Sequence, residues 1–245
     1  MRALREILLA GIALILFGGC SPFVYVNAVA PREGVVERRD IAYGTHFRQQ
    51  LDVYLPATPL AEPTPVIVFF YGGAWQRGSR ADYRFVGRAL AAHRVIAVVL
   101  DYRVYPEVVF PEFIADGALA VRWAQQHLAG DTRGAPRLFL MGHSAGAHLA
   151  AMLAFDRRFL DSAGADAGGV AGFIGLSGPY DFRPLQSRML KRIFGDPASD
   201  STQPVEFVTV NAPPALLITG SADTTVIPRN SERVAARLRE NRVWR

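Results

Sequence analysis

The chain reads as an α/β protein on a mainly parallel sheet with helices on both faces, and three observations predict it. Short, wholly apolar runs such as Val66–Phe70 and Val95–Leu100 have the composition of strands buried on both faces. Segments with apolar residues at helical spacing alternate with those runs, as crossover helices between parallel strands do. Third, Gly142-His143-Ser144-Ala145-Gly146 lies between the short segment Arg137–Met141, apolar after its arginine, and the Ala- and Leu-rich segment Ala147–Phe155. That is a strand, a tight turn and a helix, with a serine at the tip of the turn.

In chain order, Val35–Tyr43 and Gln50–Leu55 alternate apolar and polar residues and predict an opening hairpin. Pro56–Pro65 carries four prolines and predicts a loop. Val66–Phe70 is a buried strand, Asp82–His93 a helix, Val95–Leu100 a second buried strand and Phe113–Leu128 a helix. After the serine turn, Val170–Leu176 is a strand. Asp181–Val210 is irregular and is expected to cap whatever site the serine serves. Pro214–Thr219 is a further strand and Arg229–Glu240 a helix. No repeat or low-complexity tract interrupts this order. A chain of 245 residues, 50% hydrophobic and 20% charged, suits one such domain. The net charge of +5 is scattered rather than run together, which argues against a nucleic-acid partner.

The N-terminus is set apart from the domain. Arg2 and Arg5 precede the apolar run Ile7–Phe17, too short for a comfortable membrane span, and Gly18-Gly19 precede Cys20. Residues 1–20 are expected to be an export signal and 21–34 a tether, leaving 35–245 as the domain with a cap-like segment at 181–210. Cys20 is the sole cysteine and has no internal partner. Its placement resembles a bacterial lipobox, in which the cysteine is lipidated, although Phe17 departs from the usual residue three positions earlier. A lipid anchor on Cys20, an uncleaved apolar anchor and ordinary secretion all remain open. All three put the domain outside the cytoplasm, and the first two give it a membrane as a partner.

A serine hydroxyl is a weak nucleophile at neutral pH. It needs a base, an acid to orient that base, and donors for the developing oxyanion. Ser144 supplies the nucleophile and the Ala145 backbone N–H one donor. The loop after Val66–Phe70, Tyr71-Gly72-Gly73-Ala74-Trp75, is placed to supply the rest.

The pair Y-G-G-A-W and G-H-S-A-G resembles the H-G-G-x-W and G-x-S-x-G pattern of α/β-hydrolase carboxylesterases, in particular arylformamidase-like and feruloyl-esterase-like members. Asp101-Tyr102-Arg103, Ser177-Gly178-Pro179-Tyr180-Asp181 and Gly220-Ser221-Ala222-Asp223 are similar to that family too, so the likeness runs from about residue 35 to 240. It implies the α/β-hydrolase fold and hydrolysis of a small-molecule ester through an acyl-enzyme. It also implies Gly72, Gly73, Ala74 and Ala145 as the oxyanion hole, and neither cofactor nor metal. Tyr71 stands where the family has a largely structural histidine. Triad order in this fold gives Asp223 as the acid, with Asp181 the competing choice. The base should be a histidine after Asp223, but His46, His93, His127, His143 and His148 all precede it. His143 adjoins the nucleophile on a sharp turn, where neighbours point apart, and His148 is expected to pack in the core. The resemblance implies a further strand and a Gly-His loop beyond Val243-Trp244-Arg245. The chain is therefore expected to be truncated before its base, weakly active or inactive, with Leu216–Thr219 as an unpaired edge. A non-catalytic, membrane-anchored pseudo-hydrolase is the alternative, and transferase chemistry would use the same residues. Phe182, Leu185, Met189, Leu190 and Phe194 either shape an apolar pocket or simply pack the cap.

Overall fold

The computed structural model describes residues 21–58, 63–132, 137–195 and 199–243. The expected signal with Cys20, and Trp244, lie outside the described residues. Seven strands form one sheet: β1 (Val35–Ala42), β2 (Gln50–Pro56), β3 (Val66–Phe70), β4 (Ile96–Leu100), β5 (Leu138–His143), β6 (Val170–Leu176) and β7 (Ala215–Ile218), in the order β1-β2-β4-β3-β5-β6-β7. β2 is antiparallel to β1 and β4, and every pairing from β4 through β3, β5 and β6 to β7 is parallel. The central strands β3 and β4 are buried at every position, which is why they read as unbroken apolar runs. At β7, Leu216 and Ile218 are half exposed, and among the described residues β7 pairs only with β6.

The helices are α1 (Pro22–Val29), α2 (Arg84–Ala92), α3 (Glu112–His127), α4 (Ala129–Thr132), α5 (Ala145–Phe155), α6 (Arg157–Ala163), α7 (Arg188–Phe194) and α8 (Arg229–Glu240). All eleven residues of α5 are buried, so a helix of Ala, Leu and one histidine can sit at the centre of the molecule.

Three elements depart from the sequence expectation. Residues 21–34 are not merely a tether: Pro22–Val29 is helical, with Ser21 as its N-cap. It is held by Asn27, whose Nδ2 donates to the Ala81 and Asp82 carbonyls and whose Oδ1 accepts from Phe85 N–H at 2.8 Å. Those bonds are tertiary, and a proline-flanked run does not announce them. The short helix α6, capped by the Asp156 carboxylate on Arg158 N–H, was not expected. The stretch read as irregular, 181–210, contains α7 and two 3₁₀ turns.

Candidate active site

Ser144 sits between β5 and α5 with φ 51 and ψ −123, a left-handed conformation rare for a residue with a Cβ. The turn survives because its flanks are glycine. A Cβ on Gly142 would lie 2.2 Å from the Gly146 carbonyl oxygen, and one on Gly146 would lie 2.1 Å from the Phe70 carbonyl oxygen. The elbow is therefore seated directly on the end of β3. Ser144 N–H donates to the Leu176 carbonyl at 2.8 Å, pinning the turn to β6 as well. Ala145 is the first residue of α5, where a backbone N–H has no acceptor within the helix.

The loop after β3 folds against this elbow. Gly73, Ala74 and Trp75 all have positive φ, at 151, 53 and 59. The Gly73 carbonyl accepts from Gln76 and Arg77 N–H, which closes the loop on itself. Among the described residues, neither Gly73 nor Ala74 N–H donates to a backbone carbonyl. Gly72 fills the seam between loop and elbow. It is packed so closely that a Cβ there would sit 2.8 Å from His143 Nδ1 and 3.1 Å from Ser144 Cβ. Against the larger upward push of burial, its backbone, which lies beside the Tyr83 phenol, draws that group's pKa down. Tyr71, in place of the family's histidine, is buried. Its hydroxyl accepts from Arg48 Nη2 at 2.9 Å, its ring stacks on Tyr102 and its carbonyl accepts from the Tyr102 hydroxyl. That side chain braces the loop.

Asp223 lies in the loop after β7. Its Oδ1 accepts from Val226 N–H at 2.9 Å and Thr225 N–H at 3.0 Å. These bonds, Val226 foremost, together with the Ser177 hydroxyl and the His143 imidazole, hold the carboxyl below its ordinary range. The competing Asp181 is spent on Arg183, 3.2 Å away, and Arg233.

Of the five histidines, His46 pairs with Glu107 at 2.9 Å, and His93 and His127 bond to carbonyls of their own helices. His148 is fully buried; its Nε2 donates to the Thr202 carbonyl at 2.9 Å, and burial pushes it down to about 4. Trp75, Phe110, Phe182 and Phe194 pack around it with centroids 5.3 to 6.4 Å away. Only His143 stands near the elbow and Asp223. Its Nδ1 is 3.2 Å from the Tyr83 hydroxyl, and burial lowers it below the ordinary histidine value against the pull of Asp223. Tyr83 and Ser177 are site neighbours that sequence reasoning missed. Nothing local marks Tyr83; Ser177 lay within a motif whose role was unassigned.

The cap question divides. Leu185 and Phe194 are buried, with Phe194 packed on Trp75 at 4.8 Å, so they fill space; Phe182, Met189 and Leu190 are half-buried and pack against the same core. Among the described residues no group of three or more His, Cys, Asp or Glu is placed to hold a metal.

Comparison with known proteins bears on this geometry. The BD-FAE family model matches residues 51–238. Esterase LipC of Mycobacterium tuberculosis is 34% identical over 227 residues, covering 83% of this chain and 55% of that protein. The probable isoprenylcysteine alpha-carbonyl methylesterase ICMEL2 of Arabidopsis thaliana is 32% identical over 181 residues, 72% of this chain and 42% of the relative. The chain spans about half the length of these relatives. Esterase B of Lactobacillus rhamnosis superposes with a TM-score of 0.75 at 22% identity, over 98% of this chain and 82% of that one, which establishes the α/β-hydrolase fold. The apo form of Thermogutta terrifontis esterase 2 does so at 0.66 and 26% identity, over 86% and 81%.

Proposed function

This chain belongs to the BD-FAE family, a group with the α/β-hydrolase fold and esterase relatives, and from that membership we propose that it is a serine carboxylic-ester hydrolase. The observation that carries the reading is the strained Ser144 at the tip of the β5–α5 turn, with the Gly72–Ala74 loop pressed against it. Ser144 Oγ attacks the carbonyl carbon of a small-molecule ester while its proton passes to a base. The Ala145, Gly73 and Ala74 N–H groups hold the oxyanion. The alcohol leaves with a proton, and water then cleaves the acyl-serine to release the acid and restore the hydroxyl. Asp223 is the acid of the triad. The reaction needs neither a cofactor nor a metal.

Turnover by this chain is slow. Among the described residues no imidazole bonds the Ser144 hydroxyl or the Asp223 carboxylate, and loss of the base from such a triad costs on the order of 10⁶ in kcat. That same observation favours the second reading, a non-catalytic binding module on a hydrolase scaffold. Residues 1–20 are proposed to export the domain and to hold it at a membrane, through a lipid on Cys20 or through the apolar run Ile7–Phe17; Arg2, Arg5 and that run support this. Among the described residues, no helix is long and apolar enough to cross a membrane.

Hydrolysis of p-nitrophenyl butyrate by the full chain, beside its Ser144→Ala variant, tests the catalytic reading. A slow rate that disappears with Ser144→Ala is the expected result. A rate equal to that of the variant overturns it in favour of the binding module.

A further inference from the structure

Helix α1 is built the wrong way round for a helix facing water. It holds no charged residue, and of its two polar side chains, Tyr25 and Asn27, the amide Asn27 points at the protein, bonded to residues 81, 82 and 85. Its three valines face outward: Val24 is 55% exposed, Val26 41% and Val29 84%. A soluble surface helix shows the opposite pattern. The helix is also firmly docked. Phe23 packs on Tyr83 with ring centroids 4.9 Å apart, and Arg88 Nη1 donates to the Asn27 carbonyl. An outward apolar face on a rigidly held helix is a surface that something covers.

Its position indicates what covers it. Tyr83 bridges Phe23 to His143, so the first turn of α1 stands one side chain from the elbow. The same end of the sheet carries the β1–β2 turn, which follows from Gln50 accepting the amide of Asp101 just past β4. In that turn Phe47 is 71% exposed. Arg77, on the loop beside the site, is exposed too. In sequence, α1 begins two residues after Cys20 and five after the run Ile7–Phe17. Outward valines on α1, with an exposed phenylalanine and arginine on loops at the elbow end of the sheet and the segment read as the anchor just before α1 in sequence, match the lipid–water boundary: apolar groups among acyl chains, a cation among headgroups.

We propose that α1 is an interfacial helix, seating its outward valines in the lipid bilayer and turning the mouth of the Ser144 site toward the membrane surface. The partner is the bilayer itself, and the substrate class that this orientation serves is an ester dissolved in it. The proposal rests on the reading of residues 1–20 as a membrane anchor, not on catalytic competence.

The test uses the full chain in vesicles of phosphatidylcholine and phosphatidylglycerol whose acyl chains carry bromine, a contact quencher of tryptophan. Val24→Trp is compared with Val210→Trp, which is 72% exposed near the start of β7, at the other end of the sheet. The native tryptophan signal is subtracted, and equal melting confirms both variants fold. The expected result is that the chain floats with the vesicles and that bromine quenches the added tryptophan at 24 at least about twofold more than that at 210, since an interfacial helix buries its apolar face ~5–10 Å into the boundary. Flotation with equal quenching overturns the docking while leaving the anchor intact. A chain that stays with the soluble fraction overturns the anchor and the docking together. A tryptophan at 24 shielded from aqueous acrylamide yet untouched by bromine means that a protein surface, such as a second copy, covers α1, which also overturns the proposal.

Discussion

A single methyl group on Gly72 would meet three atoms of the elbow within 3.1 Å, the nearest an imidazole nitrogen at 2.8 Å. The backbone of β5 and the Tyr83 bond hold those atoms, so they cannot easily yield. Gly72→Ala should therefore cost about 1–3 kcal/mol of stability, the usual price of overpacking, read as a lower urea midpoint with an unchanged slope. It should also abolish any Ser144-dependent esterase rate. An unshifted midpoint would mean that the loop stands off from the elbow. His148 makes a prediction of a different kind. In the folded chain it stays neutral down to about 4, whereas a histidine in the unfolded chain takes its proton near 6.5. Protons therefore favour the unfolded chain below pH 6.5. Stability is full above that value, falls as pH drops through it, and levels off near pH 4. The gap corresponds to up to about 3 kcal/mol. Melting curves between pH 7 and pH 4 should show this decline. His148→Gln, which can still donate to the Thr202 carbonyl, should flatten it.

At the scale of elements, Arg80 joins the loop after β3 to the strands beside it. Its Nε donates to Asp52 Oδ1 at 2.9 Å, its Nη1 pairs with Asp101 and its backbone N–H donates to Asp101 Oδ1 at 2.7 Å. Asp52 and Asp101 are both buried, so Arg80→Met would take from two carboxylates the guanidinium charge that bonds them both, leaving backbone N–H donors behind. A loss of about 3–5 kcal/mol is expected in denaturant titration, against near neutrality for an exposed arginine such as Arg229→Met. These bonds were invisible in the sequence, and the reason is general to this molecule. β3, β6 and α8 begin and end where the apolar pattern put them, because burial on both faces, or along one stripe, writes itself into a run of residues. Helix α1 was not legible, because its helicity depends on Asn27 reaching α2. The site divides in the same way. Ser144 and Asp223 follow from local motifs at strand ends, whereas Tyr83, Ser177 and the close packing of Gly72 arise only when three loops meet.

Across the whole molecule, the two flanks of the sheet are finished differently. On one flank β1 is tied down by Glu37 to Arg88 and by Arg38 to Asp131. On the other, β7 offers Leu216 and Ile218 beside an edge that is unpaired among the described residues. Such an edge templates strand pairing between molecules. The double substitution Leu216→Lys, Ile218→Lys should reduce concentration-dependent light scattering while changing stability by no more than about 1 kcal/mol, since both side chains are half exposed. Unchanged scattering would locate self-association elsewhere. The other flank has a mechanical consequence. Phe23 touches Tyr83, and Tyr83 touches Phe69, Tyr71, Phe85 and His143. Load applied to the chain at Ser21 therefore reaches the turn that holds the serine through a relay of rings, without passing through the strand ladder. A pull on Ser21 and the shape of the reactive turn are not independent quantities in this protein.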